Sequence, residues 1–126
     1  MMARRMRMAA AWLALMVAAL PALGGEADVL SATARRGSDG TWRFDVTVKH
    51  ADAGWDHYAD AFEILAPDGE LLARRVLAHP HEQEQPFTRS VSGVAIPPGL
   101  KRVRIRAHDK VHGHGGRELM LELPGR

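Results

Sequence analysis

Apolar and polar residues alternate with a period of two over most of the chain beyond residue 27. The clearest run, 41–50, places Trp42, Phe44, Val46 and Val48 on one side and charged or hydroxyl residues on the other. Such alternation is typical of a half-buried β-strand. Similar runs predict seven strands, at 28–36, 41–50, 61–66, 70–77, 87–94, 101–108 and 117–123.

Short turn sequences separate three pairs of these strands: GSDG at 37–40, PDG at 67–69 and PPG at 97–99. Proline presets the first turn angle, and glycine tolerates the positive φ that follows. Seven short strands with such turns predict an all-β domain over 25–126. We expect a seven-stranded immunoglobulin-like Greek-key β-sandwich.

Two of the predicted strands contain arginines that either face solvent or are buried in the sandwich. In 101–108, Arg102, Arg104 and Arg106 alternate with aliphatic residues, which favours a solvated sheet face. In 87–94, strict alternation puts Arg89 on the same face as Phe87 and Val91. Two alternatives stay open for Arg89: burial beside a carboxylate such as Asp56 or Asp60, or an outward turn at a β-bulge.

The first 24 residues have the three parts of a secretory signal peptide. Arg4, Arg5 and Arg7 form a positive leader, residues 9–20 are apolar, and Pro21 is followed by small residues before position 25. Twelve apolar residues are few for a membrane span, which needs about 20. The sequence therefore predicts a periplasmic or secreted protein with no stable membrane anchor after cleavage.

Charge and cysteine content exclude several partners and chemistries. The chain has 17 Lys and Arg against 15 Asp and Glu, but three of the basic residues lie in the leader, so the remainder has a net charge near −1. No strong field attracts nucleic acid. Because the chain contains no cysteine, disulfides, thiolate metal sites and a lipid-bearing cysteine are excluded.

The predicted topology gathers the chemically active residues at one end of the sandwich. The loops 51–60, 79–86 and 109–116 alternate along the chain with the three tight turns, so they lie at the opposite end. These loops and the adjoining strand ends hold every histidine of the chain: His50, His57, His79, His81, His108, His112 and His114.

Histidines and carboxylates gathered on loops indicate a site for Zn²⁺ or Cu²⁺, which bind imidazole without needing cysteine. Residues i and i+2 of an extended backbone point the same way, so each His-x-His pair can reach one ion. The predicted ligands are His79, His81, His112, His114 and His57. Fourth ligands or orienting groups come from the acidic residues Asp56, Asp60 and Asp109.

Two other functions stay open. The chain can be a non-catalytic periplasmic interaction or adhesion module, with structural histidines and a partner surface at Trp55 and Tyr58. A metal-dependent hydrolase is the least favoured class, because the loops enclose little volume for a substrate and no nucleophile motif is present. The partners predicted are thus a metal ion or a periplasmic protein.

Three segments, GWDHYADAFEILAPDG, HPHEQEQPFTRS and RAHDKVHGHGG, resemble a set of small exported bacterial proteins of uncharacterised activity. The resemblance covers 54–116 and implies export and a β-sandwich, without a ligand. The segment PPGLKRVRIRAHDKVHGHGG also resembles the sixth strand and adjacent loops of a fibronectin-III domain, which implies architecture alone.

Overall fold

The computed structural model describes residues 25–126, which form seven β-strands joined by turns and loops, with no helix. The strands are β1 (Asp28–Arg36), β2 (Trp42–Lys49), β3 (Ala59–Leu65), β4 (Leu71–Val76), β5 (Phe87–Val94), β6 (Arg102–Asp109) and β7 (Leu119–Glu122). Each predicted strand is present, with bounds that differ by at most two residues. The predicted signal peptide, 1–24, lies outside the described residues, within which no helix is long and apolar enough to cross a membrane.

The strands form two antiparallel sheets, with strand orders β1-β2-β5 and β4-β3-β6-β7. This arrangement confirms the predicted immunoglobulin-like sandwich. The connections β1–β2, β3–β4 and β5–β6 are the tight turns. The longer β2–β3, β4–β5 and β6–β7 loops meet at the other end, which we call the loop end.

The core lies between the inward faces of the two sheets. In β2, Trp42, Phe44, Val46 and Val48 are buried at every second position, as the alternation predicts. They pack against the inward rows of the other sheet, which include Phe62, Ile64, Val103, Ile105 and Ala107. This single apolar core fixes the register of both sheets, since a one-residue slip would expose each row.

The outward face of the four-stranded sheet carries a buried carboxylate. Glu63 is 4% exposed and pairs in register with Arg74 on β4 and Arg106 on β6. Arg74 Nη1 lies 2.6 Å from Glu63 Oε2, and Arg106 Nε lies 2.8 Å from Glu63 Oε1. Part of the predicted arginine stripe therefore neutralises an internal charge.

Arg89 is half-buried, and it pairs with Glu84, 2.9 Å from Arg89 Nη2, instead of Asp56 or Asp60. Its register partner is Val46, so it does face the interior side of its sheet. However, β5 is an edge strand, so the long side chain reaches solvent. A bulge is present in β5, where the extra residue falls between Val91 and Val94, beyond Arg89.

Candidate metal centre

The inward rows of β2 and β6 both end in a polar side chain at the loop end. His50 continues the row of Val46 and Val48, and Asp109 continues the row of Ile105 and Ala107. His50 is 3% exposed and Asp109 is fully buried. Period-two geometry thus places an imidazole and a carboxylate over the end of the apolar core.

His57, from the β2–β3 loop, completes a group of three possible metal ligands with His50 and Asp109. His57 Nε2 lies 3.0 Å from Asp109 Oδ2 and 3.2 Å from His50 Nε2. His50 Nε2 lies 3.8 Å from Asp109 Oδ2. Ligands about 2.0 Å from a tetrahedral ion lie about 3.3 Å apart, so these three atoms can hold a metal ion.

Asp109 is charged and held by several donors. Its burial favours the neutral form, but hydrogen bonds from the backbone N–H and ring of His112, and from the backbone N–H of Val111, outweigh it. The pKa of Asp109 is therefore below its ordinary value. Its buried Oδ1 has no hydrogen-bond partner, and within residues 25–126 no lysine or arginine lies within 4 Å of its carboxylate.

Asp52 orients His50. Asp52 Oδ1 lies 2.6 Å from His50 Nδ1 and also accepts from the Ala59 backbone N–H, while Oδ2 accepts from the His81 backbone N–H. Because a carboxylate only accepts, the His50 Nδ1 carries a proton. In the neutral ring, Nε2 then presents its lone pair to the group, as in metal-binding histidines whose second nitrogen donates to a carboxylate.

Two further groups border the three residues. His112 Nδ1 lies 3.0 Å from Asp109 Oδ2, and the His112 ring centroid lies 5.0 Å from that of His57. The carbonyl oxygen of Gly25 lies 3.0 Å from His50 Nε2 and 3.2 Å from His57 Nε2. The His57 and His112 side chains are 26% and 36% exposed, so solvent reaches the group from their side.

His79 and His81 form a separate pair. Their ring centroids are 4.6 Å apart, and the His81 ring stacks on Phe87. Burial lowers the pKa of His81, and neither of its ring nitrogens has a hydrogen-bond partner. The pair borders an open depression of about 500 Å³ with Glu84 and Arg89. These two predicted ligands thus touch each other, outside the three-residue group.

His108 and His114 lie on the outward face of the four-stranded sheet. His114 Nε2 is 3.0 Å from Glu63 Oε1, and His108 Nδ1 contacts Asp60 Oδ1. Burial and the Arg106 charge lower the pKa of His114. The rings of His112 and His114 diverge because the backbone turns at Gly113, whose φ is +70°. The i, i+2 expectation fails here since it needs an extended backbone.

The remaining predicted residues lie on the β2–β3 loop or at the start of β3. Asp56 is exposed on the loop, and Asp60, the second residue of β3, contacts His108. Trp55 is 63% exposed, whereas Tyr58 is buried beneath it, with ring centroids 5.7 Å apart. An exposed partner surface can therefore use Trp55, but only the edge of Tyr58.

Of the residues predicted as ligands or alternatives, the structure brings His57 and Asp109 together and puts His112 beside them. His50 was missing from the predicted ligands, although the sequence held a signal for it. Continuing the inward rows past the strand ends, from Val48 to His50 and from Ala107 to Asp109, selects both residues. The Gly25 carbonyl has no such signal, since any residue has a backbone oxygen.

Comparison with known proteins gives one informative similarity. The chain is 37% identical over 97 residues to a protein of Halomicrobium mukohataei described as "Putative lipoprotein". The match covers 77% of this chain and 47% of the relative, so the chain spans about half of the relative's length. No family model matches the chain, and no solved structure matches it.

Proposed function

We propose that this protein is an exported module that binds Zn²⁺ or Cu²⁺ through His50, His57 and Asp109. Imidazole and carboxylate are suitable ligands for both ions, and a chain without cysteine has no thiolate to compete for them. The module has no catalytic role in this proposal.

The observation that carries the proposal is the composition and spacing of the three-residue group. A buried, charged carboxylate faces two imidazole nitrogens at 3.0 and 3.8 Å, with no lysine or arginine of residues 25–126 beside it. Hydrogen bonds from Val111 and His112 stabilise this charge, but no cationic side chain of the described residues balances it. A bound cation supplies the compensation, and Asp52 already holds His50 in the orientation that a ligand needs.

Export is supported by two independent features. Residues 1–24 have the pattern of a secretory signal, and the Halomicrobium relative is described as a "Putative lipoprotein", a class found at the cell envelope. This chain has no cysteine for a lipid, so we propose a periplasmic or secreted location without an anchor.

The proposal is tested by metal titration of the full-length chain after removal of bound metal with a chelator. Zn²⁺ and Cu²⁺ are titrated separately against a chromophoric competitor, in wild type, His57→Ala and His79→Ala. His57 is partly exposed, so its truncation leaves the core intact. We expect His57→Ala to weaken binding by more than the roughly 10–100-fold loss typical of an outer-shell residue.

The His79→Ala variant is the matched control, because it removes one histidine from the other cluster. We expect its affinity to stay within twofold of wild type. Loss of binding in His79→Ala alone would move the site to the His79–His81 pair. Weak binding that is equal in all three proteins would overturn the metal function.

A second candidate function, an interaction module, has one observation in its favour. Trp55 and Val111 are 63% and 59% exposed on the two loops that flank the three-residue group. Exposed aromatic residues are common in protein-binding surfaces. This function predicts that Trp55→Ala abolishes capture of a partner, while metal binding is absent in every variant.

A further inference from the structure

We propose that the main-chain carbonyl oxygen of Gly25 is the fourth ligand of the metal, so that the N-terminal strap, residues 25–28, forms part of the site. This inference rests on the proposed metal function. Five distances among the four candidate ligand atoms are 3.0, 3.2, 3.2, 3.0 and 3.8 Å. Four of them lie within about 0.3 Å of the roughly 3.3 Å edge of a tetrahedron of ligands 2.0 Å from the ion, and the His50–Asp109 distance of 3.8 Å is longer.

The decisive feature is a triangle formed by Gly25 O, His50 Nε2 and His57 Nε2, with sides of 3.0, 3.2 and 3.2 Å. The carbonyl oxygen only accepts, and each ring nitrogen at a given moment either donates or accepts. Three mutually adjacent atoms cannot all be paired donor to acceptor. Whatever the positions of the protons, one side of the triangle joins two donors or two acceptors.

A cation at the centre removes this conflict, because all three atoms then present lone pairs to it. Asp52 fixes the proton of His50 on Nδ1, which directs the His50 Nε2 lone pair at the same point. Asp109 Oδ2, 3.0 Å from His57 Nε2 and 3.8 Å from His50 Nε2, adds the negative charge. Every arrangement of protons leaves at least one side of the triangle unpaired, whereas a metal ion engages all three atoms, so the geometry favours a metal ion.

The strap is held in place by specific contacts with the β6–β7 loop. The Val29 backbone N–H donates to Arg117 O at 2.8 Å, and the Arg117 N–H donates to Asp28 Oδ1 at 2.7 Å. At Gly116, a Cβ would lie 1.9 Å from the Ala27 carbonyl oxygen. The loop can therefore approach the strap only because position 116 has no side chain.

Gly25, like Gly116, has no room for a side chain, here because the His112 ring lies beside it. A Cβ at Gly25 would lie 2.5 Å from His112 Cε1, so any side chain there displaces either the His112 ring or the strap. The position of the Gly25 carbonyl thus depends on two glycines. Since this oxygen is a ligand, metal binding and docking of the strap occur together.

The test is Zn²⁺ affinity of the full-length chain with Gly25→Ala and with Gly116→Ala. We expect each variant to bind at least tenfold more weakly than wild type. Gly37→Ala, in the β1–β2 turn at the opposite end, is the matched control and should stay within twofold. Thermal unfolding of the metal-free proteins shows whether each variant is folded.

A second measurement needs no substitution. In protein labelled with ¹³C at the glycine carbonyls, Zn²⁺ should move the Gly25 resonance further than any other glycine resonance. Wild-type affinity in both glycine variants, or an unmoved Gly25 resonance at saturation, would overturn the carbonyl ligand. In that outcome, retained sensitivity to His57→Ala leaves the proposed metal function standing; insensitivity to His57→Ala as well removes both.

Discussion

Glu63 and Asp109 are two buried carboxylates on neighbouring strands of one sheet, and the protein compensates them differently. Glu63, on the outward face, lies between the guanidinium groups of Arg74 and Arg106. Asp109, at the end of the inward row, faces the imidazoles of His50, His57 and His112. Arginine is always charged, whereas a neutral imidazole brings a lone pair instead of a positive charge.

The comparison indicates two separate uses of a buried acid. At Glu63 the chain supplies two arginines to one carboxylate, so no further cation is needed and the pairing is structural. At Asp109 the negative charge and the surrounding nitrogen atoms are the donor set on which the proposed metal site rests.

The largest effect is expected for Asp109→Asn, which keeps the shape of the side chain and removes its charge. Zn²⁺ affinity should fall more than about 100-fold, since a charged ligand is lost, exceeding the cost of an outer-shell change. The matched variant Glu63→Gln should bind within twofold of wild type. Competition titration measures both, and similar losses in the two variants would contradict the distinction.

Stabilisation by saturating Zn²⁺ is a second measurement that compares Asp109→Asn with Glu63→Gln. At 100 times the dissociation constant, a ligand of the native state raises the free energy of unfolding by about 2.7 kcal/mol. We expect this increase in wild type and in Glu63→Gln, and less than about 0.4 kcal/mol in Asp109→Asn at the same Zn²⁺ concentration. Denaturant unfolding with and without Zn²⁺ measures it.

A smaller loss is expected for Asp52→Asn, because Asp52 acts on the metal through His50. An asparagine at position 52 no longer requires the His50 proton to be on Nδ1, so the Nε2 lone pair is not always available to the metal. Zn²⁺ affinity should therefore fall roughly 10–100-fold. The variant also weakens the bonds to the Ala59 and His81 backbones. A structural role alone would lower metal-free stability without changing affinity, so both quantities are measured on the same samples.

The smallest effect concerns the pH dependence of stability at Glu63. Burial opposes its charge, but hydrogen bonds from Arg106 and Arg74 prevail and lower its pKa. A carboxyl group whose pKa is lowered by folding stabilises the folded state at pH values above its ordinary, unfolded-state pKa. This contribution is lost as pH falls through the lowered value.

Glu63→Gln should therefore lower the free energy of unfolding by about 1–2 kcal/mol at pH 7, a discounted figure because both arginines are partly exposed. The difference from wild type should shrink as the solution is acidified below the ordinary Glu pKa. Urea unfolding from pH 7 to pH 3 measures it. A difference that grows on acidification would reverse the assigned sign.

The sequence predicted the fold well because strand alternation is a local property. The alternation of apolar and polar residues is continuous in 41–50 and 101–108. The three short turns keep the strands that they join adjacent in space, which leaves few other topologies. The gathering of the histidine-bearing loops at one end followed from that topology. His57 and Asp109 were named on this basis.

The ligand set was harder to predict, because loops do not keep a single backbone geometry. Gly113 turns the chain between His112 and His114, so their side chains face different carboxylates. His50 required the strand alternation to be followed past the end of β2. The Gly25 carbonyl depends on packing of the strap against Gly116, a long-range contact with no local pattern.

The placement of Arg89 has a consequence for self-association. β5 is one of the two edge strands of the three-stranded sheet, and an exposed edge is a template on which a strand of another molecule can add. An additional strand would have to bury the Arg89 guanidinium, and the bulge after Val91 interrupts the row of backbone groups it would pair with. The β5 edge is therefore protected from intermolecular β-sheet growth and aggregation.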